Sequence, residues 1–125
     1  MSARIKGLDH WTILTRDQDR CVDFYEGALG LAVGPRPDFD FPGVWLYSGD
    51  KAIVHVVSGR EVPEQSTGAF DHIAFAMEGP YAEMEKRLEA RGISFVSRRI
   101  ERFNIHQIAC EDPDGCGVEL NFQNV

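Results

Sequence analysis

Between Leu8 and Thr15 apolar and polar positions alternate, with Trp11 and Ile13 on one face and Leu8, His10, Thr12 and Leu14 on the other, which predicts a β-strand. Asp17 then offers an N-cap. Val22, Tyr25 and Leu29, with Phe24 and Ala28 beside them, form a helical stripe that Gly30 ends, so a helix is expected over about residues 18–29. A short strand follows at 31–34. Three prolines and a glycine exclude regular structure from Pro35 to Gly43. Val44–Ser48 and Lys51–Ser58 read as two strands joined at Gly49-Asp50, with Ile53, His55 and Val57 sharing a face of the second.

After a polar, turn-rich stretch at 59–69 the same pattern begins again. Phe70–Met77 predicts a strand in which Ile73, Phe75 and Met77 oppose His72, Ala74 and Ala76. Pro80 opens a helix striped by Tyr81, Met84 and Leu88, Gly92 ends it, and Ile93–Ser97 gives another short strand. Phe103–Glu111 leads into a final hairpin. Its turn, Asp112-Pro113-Asp114-Gly115, sets a type I corner followed by a left-handed glycine. Beyond it Val118, Leu120 and Phe122 make one face, while Gly117, Glu119 and Asn121 make the other. A glutamate in the middle of such a strand is disfavoured unless it is solvated, paired or bound to a metal.

The repeat is regular. His10 and His72 are 62 positions apart, Gly30 and Gly92 also 62, and His55 and Glu119 64. Two tandem βαβββ units are expected, at about 7–58 and 70–122 with a linker at 59–69, forming one α+β domain whose curved mixed sheet encloses a cleft.

Composition narrows the function. Length and a hydrophobic fraction of 43% suffice for one buried core. A formal charge of -7 argues against general nucleic-acid or anionic-membrane binding. Cys21, Cys110 and Cys116 follow no CxxC spacing and fit reduced thiols, Met1–Gly7 carries no apolar run behind its charges, and nowhere do 18 apolar residues follow one another. A soluble cytoplasmic protein is expected.

His10, His55, His72 and Glu119 occupy matching strand positions of the two units, on the face away from the helix-facing apolar set. Three imidazoles and a carboxylate suit one divalent ion, Fe(II) or Ni, Co, Zn or Mn(II). Two open positions on such an ion would accept a substrate through neighbouring oxygens, or a substrate and O₂. Ile105, Gln107 and Ala109 share the face of Glu119, whereas His106 turns toward the helix layer and reads as structural. Trp45 and Tyr47 are expected to line the cleft, and Phe39 and Phe41 to form an apolar lid or to pack on a partner chain. Together with Gln107, Trp45, Tyr47 and Phe39 are the candidate substrate contacts. Arg98, Arg99 and Arg102 form a basic strip, at a solvated strand edge or at the mouth of the cleft.

Three local signatures, Leu8-Asp9-His10, Phe24-Tyr25-Glu26-Gly27-Ala28-Leu29-Gly30-Leu31, and Glu111-Asp112-Pro113-Asp114-Gly115 followed by Val118-Glu119-Leu120, resemble the vicinal oxygen chelate superfamily. That superfamily includes glyoxalase I, extradiol ring-cleaving dioxygenases, methylmalonyl-CoA epimerase, and fosfomycin and bleomycin resistance proteins. The resemblance implies a glyoxalase-like fold, a homodimer, and a small-molecule substrate held on one divalent metal. Carried over by residue, His10, His72 and Glu119 match the two-histidine, one-carboxylate triad. His55 falls where glyoxalase I and the epimerase place a fourth ligand and base, there a glutamate or glutamine, so His55 stands as ligand, as catalytic base, or as both. Extradiol enzymes carry a tyrosine where this chain has Ala109. That departure counts against a ring-cleaving dioxygenase, but three imidazoles add less negative charge than paired carboxylates and leave the metal more electrophilic, which keeps that reading slightly ahead of a glyoxalase-type lyase or epimerase, with a non-catalytic small-molecule or antibiotic-binding protein as the alternative from another class.

Overall fold

A computed structural model describes residue 4 and residues 8–62, 72–101 and 104–123. The chain divides into two compact units, Met1–Val62 and Pro63–Val125. Each holds a four-stranded mixed sheet. The class is α+β, as the alternation predicted.

In the first unit the strands are β1 (Trp11–Leu14), β2 (Ala32–Gly34), β3 (Gly43–Ser48) and β4 (Lys51–Val57), in the order β1-β4-β3-β2. β1 runs parallel to β4, and the other neighbours are antiparallel. α1 (Gln18–Val22) starts where Asp17 accepts a hydrogen bond from the Arg20 backbone N–H at 3.1 Å, the expected N-cap. It continues as a π-helical stretch, Asp23–Ala28, instead of one α-helix. The wider turn appears in the bond from the Leu29 N–H to the Phe24 carbonyl, five residues back. Cys21, Phe24, Tyr25 and Ala28 are buried there, and Ile13, Leu46, Val54 and Val56 are buried on the sheet. Alternation puts Ile13, Leu46, Val54 and Val56 on one face and His55, Trp45 and Val57 on the other.

The second unit repeats the plan with β5 (His72–Met77), α2 (Tyr81–Ala90), β6 (Val96–Ile100), β7 (Ile105–Glu111) and β8 (Gly117–Gln123), ordered β5-β8-β7-β6. Met84 and Leu88 of α2 are buried, as are Ile108, Val118, Leu120 and Phe122 of the sheet. Tyr81 of α2 stacks on His106 at 3.5 Å and meets Phe122 edge-on at 6.5 Å, so this face of the sheet carries the helix. His106 faces the helix, as expected from its parity. The last hairpin also forms as expected: Gly115 takes φ 85°, and buried Asp112 accepts the Asp114 and Cys116 N–H groups on Oδ1, each at 2.9 Å.

Three expectations need correction. β6 begins at Val96, not at Ile93, because the chain leaves α2 through Gly92, at φ 69°, and the Ile93 N–H still bonds back to the Leu88 carbonyl. That shift places Arg98 and Arg99 inside a strand, opposite Gln107 and His106, so they point to opposite faces and form no continuous strip. Arg102 lies outside the described residues. His10 lies just before β1, not within it. The expected linker at 59–69 falls largely outside the described residues.

Candidate metal and substrate site

Sheet pairing in the second unit builds a row of polar side chains across all four strands, on the face away from α2. His72 on β5 lies beside Glu119 on β8, with Nε2 3.3 Å from Oε2. Gln107 on β7 donates from Nε2 to the other carboxylate oxygen, Oε1, at 3.0 Å and to Asn121 Oδ1 at 3.1 Å. Arg98 on β6 donates from Nε and Nη2 to Gln107 Oε1, at 3.2 and 2.9 Å. Gln107 is 5% exposed, so its amide is fully engaged by neighbours of its own sheet. The mid-strand carboxylate therefore has partners, which removes the burial penalty that made it conspicuous.

The corresponding face of the first unit is aromatic. His55 on β4 lies opposite Trp45 on β3 and stacks on its ring at 4.0 Å, with planes 9° apart. On its other side His55 stacks on His10 at 3.8 Å and 11°. Its Nε2 is 3.0 Å from the Ala52 carbonyl, so Nε2 carries the proton and donates, leaving Nδ1 as the basic atom. Partial burial, first, and then the nearby charge of His10 hold the His55 pKa below its ordinary value. His10 Nδ1 lies 2.8 Å from Asp9 Oδ2, so Nδ1 carries the proton and donates, which fixes the ring and leaves the lone pair on Nε2. That hydrogen bond, and secondarily the charge of His10, keep the Asp9 carboxyl below the usual range.

The Pro-rich segment between β2 and β3 folds onto the same set of rings. Phe39 lies 6.2 Å from Trp45 and stacks on Phe41 at 5.0 Å. Arg36 sits 4.9 and 5.0 Å from the two phenylalanine centroids and donates to the Phe41 carbonyl at 2.9 Å, while Arg60 sits 4.9 Å from the Phe41 centroid. Tyr47 lies over Gly34, where an added Cβ would meet its ring at 2.7 Å, and its hydroxyl donates to the Pro35 carbonyl. Trp45 and Tyr47 thus share the face expected for them, across a bulge between Leu46 and Tyr47.

Among the described residues no three His, Cys, Asp or Glu side chains are grouped to hold one ion; the candidate ligands occur as two pairs, one in each unit. The second pair fits a metal's demands. Two donor atoms at right angles on an ion, each about 2.1 Å from it, stand roughly 3 Å apart, close to the 3.3 Å between His72 Nε2 and Glu119 Oε2. The first pair differs. Imidazole lone pairs lie in the ring plane, so two parallel rings 3.8 Å apart cannot both direct them at one ion about 2.1 Å away. Each ring keeps one unprotonated nitrogen, Nε2 of His10 and Nδ1 of His55, and the carboxylate behind His10 makes it the better-oriented ligand.

Residue identity alone does not reveal three of these partners. Asp9 was visible only as part of a signature, Asn121 only as a face neighbour of Glu119, and the turn of Arg98 toward Gln107 depended on the true start of β6.

A glyoxalase-like α+β chain is thereby defined, and comparison with known proteins agrees on the fold and the family. Residues 7–120 match the model of the Glyoxalase/Bleomycin resistance protein/Dioxygenase superfamily, and the chain belongs to that family. It is 30% identical over 124 residues to Glyoxylase I 4 of Arabidopsis thaliana, covering 93% of this chain and 70% of that protein. It is 27% identical to MhqO of Bacillus subtilis (strain 168), named as a ring-cleaving dioxygenase, covering 96% of this chain but only 41% of that protein's length. A crystal structure of a Bacillus anthracis protein named for the glyoxalase family superposes with a TM-score of 0.78 at 20% identity, over 98% of this chain and 99% of the other. That likeness concerns the fold.

Proposed function

We propose that this protein is a metal-dependent enzyme acting on a small molecule that chelates through adjacent oxygens, with His10, His72 and Glu119 as ligands and His55 as the base. The observation that carries this reading is the His72–Glu119 pair, set at ligand spacing with its carboxylate held by Gln107. Two histidines and one carboxylate suit non-haem Fe(II) and leave positions for a bidentate substrate and for O₂, which favours a ring-cleaving dioxygenase. When bound, the ion would serve as a Lewis acid toward the substrate oxygens. His55, neutral and protonated on Nε2, takes a substrate hydroxyl proton on Nδ1. Trp45, Tyr47 and Phe39 form the apolar and aromatic surroundings that an aromatic ring would enter.

A glyoxalase-type lyase or isomerase is the second reading, supported by the likeness to Glyoxylase I 4 across most of this chain. There His55 would move a proton between two carbons, with Ni, Co, Zn or Mn(II) in place of iron. The proposal includes a homodimer in the cytoplasm, for which the three thiols without disulfide partners fit a reducing compartment. No helix among the described residues is long and apolar enough to cross a membrane.

Elemental analysis of tag-free protein, beside His72→Ala and Glu119→Ala, tests the ligand set. Near-stoichiometric metal in the parent and little in either variant is expected. Oxygen uptake with catechol-type substrates then separates the dioxygenase from the lyase. Retention of a small aromatic ligand by metal-free protein and by Glu119→Ala, without turnover, would instead identify a binding protein.

A further inference from the structure

We infer that Arg98 and Gln107 are positioning residues for Glu119, and that together they make it a one-oxygen metal ligand through Oε2. This inference rests on the proposal that Glu119 is a ligand. The Gln107 amide could present either its oxygen or its nitrogen to the carboxylate, and only the nitrogen side attracts it. Arg98 decides between them. By donating twice to Gln107 Oε1, at 3.2 and 2.9 Å, its guanidinium pins the amide oxygen on the β6 side and turns Nε2 toward β8. From there Nε2 donates to Glu119 Oε1 at 3.0 Å, which occupies that oxygen. Oε2, 3.3 Å from His72 Nε2, is then the oxygen directed to the ion. Asn121 Oδ1 accepts the second amide hydrogen at 3.1 Å, so the amide has no unused polar group and no reason to flip.

The relay makes a prediction opposite in sign to simple electrostatics. A cation near a metal site repels the ion, so removing Arg98 by itself would tighten divalent metal binding. If Arg98 acts by orienting Gln107, its loss instead frees the amide and weakens binding. Partners that orient a ligand are typically worth on the order of 10- to 100-fold in metal affinity.

The test measures Mn(II) affinity by calorimetry on metal-free full-length protein, for Arg98→Met, Gln107→Leu, the double variant and Arg99→Met. Arg99 lies on the same strand but faces His106, so its replacement controls for surface charge. Weaker binding is expected in Arg98→Met, a loss on the order of 10- to 100-fold in Gln107→Leu, no further loss in the double variant, and no change in Arg99→Met. Thermal unfolding of each metal-free variant identifies any loss caused by poor folding, and the exposed Arg98 site keeps the test valid if Gln107→Leu is unstable. Tighter or unchanged binding in Arg98→Met, or additive losses in the double variant, would overturn the relay. Glu119→Ala serves as the separate reference: undiminished Mn(II) binding there defeats the ligand assignment itself, whereas loss there with normal affinity in Arg98→Met defeats only the relay.

Discussion

The imidazole of His55 lies parallel to that of His10, with ring centroids 3.8 Å and planes 11° apart, and Trp45 closes the stack on the other side. A parallel stack lets one of the two rings serve as an in-plane ligand, and the Asp9 carboxylate against Nδ1 marks His10 as the oriented one. His55→Ala should therefore keep its metal while losing turnover, whereas His10→Ala should lose both. Metal content and kcat of the two variants decide this, and metal loss in His55→Ala would show it to be a ligand. Nitrogen-15 NMR of the metal-free protein should also find the proton of His55 on Nε2.

Buried Asp112 holds the turn that leads into β8 and so to Glu119. Two backbone N–H groups donate to its Oδ1, and removing that acceptor orphans both. Asp112→Ala should cost about 1–3 kcal/mol in denaturant unfolding. Asp112→Asn keeps an acceptor oxygen and should cost clearly less, so equal losses would mean that the two bonds contribute little.

Gly43 opens β3 at the end of the segment that carries Phe39 and Phe41. A Cβ there would stand 2.3 Å from the Val56 carbonyl oxygen, a backbone atom in the paired strand. At Gly34 the obstacle is the Tyr47 ring, which can turn away at the cost of its bond to Pro35. Gly43→Ala should lower Tm more than Gly34→Ala, with overpacking at the latter costing about 1–3 kcal/mol. The reverse order would show that β3 shifts readily.

Cys110 and Cys116 should be poor nucleophiles. Burial, with nearby carboxylates, pushes the Cys110 thiol up to about 11 and the Cys116 thiol to about 12. Alkylation of native protein should stay slow up to pH 9 and become fast on unfolding. Because the folded-state values are raised, their contribution to stability is whole below the ordinary value of 9.0 and falls as pH rises toward about 11 and 12. Rapid native-state labelling of Cys116 at pH 8 would contradict this.

Much of the fold was legible because two-residue alternation, helical stripes and punctuating glycines act over a few residues. The Asp17 cap, the glycine stops at 30 and 92, the last hairpin, and the inward turn of His106 all follow from such local rules. β6 was misplaced because Ile93-Ser94-Phe95 satisfies strand propensity, yet the exit from α2 delays pairing until Val96. The widening of the first helix into a π turn also escaped, since the same apolar stripe suits either winding.

The sequence by itself determined which residue types stand on which face: His72, Gln107 and Glu119 together, and His55 with Trp45. Alternation is a property of the single strand, so it needs no partner to be read. Only the tertiary structure decided what those side chains do to one another. Register between strands put the Gln107 amide against Glu119 and turned Arg98 onto Gln107, and ring packing set His55 parallel to His10. Hydrogen bonds and stacks are formed across strands distant in the chain, and their geometry depends on pairing that one-dimensional periodicity does not contain.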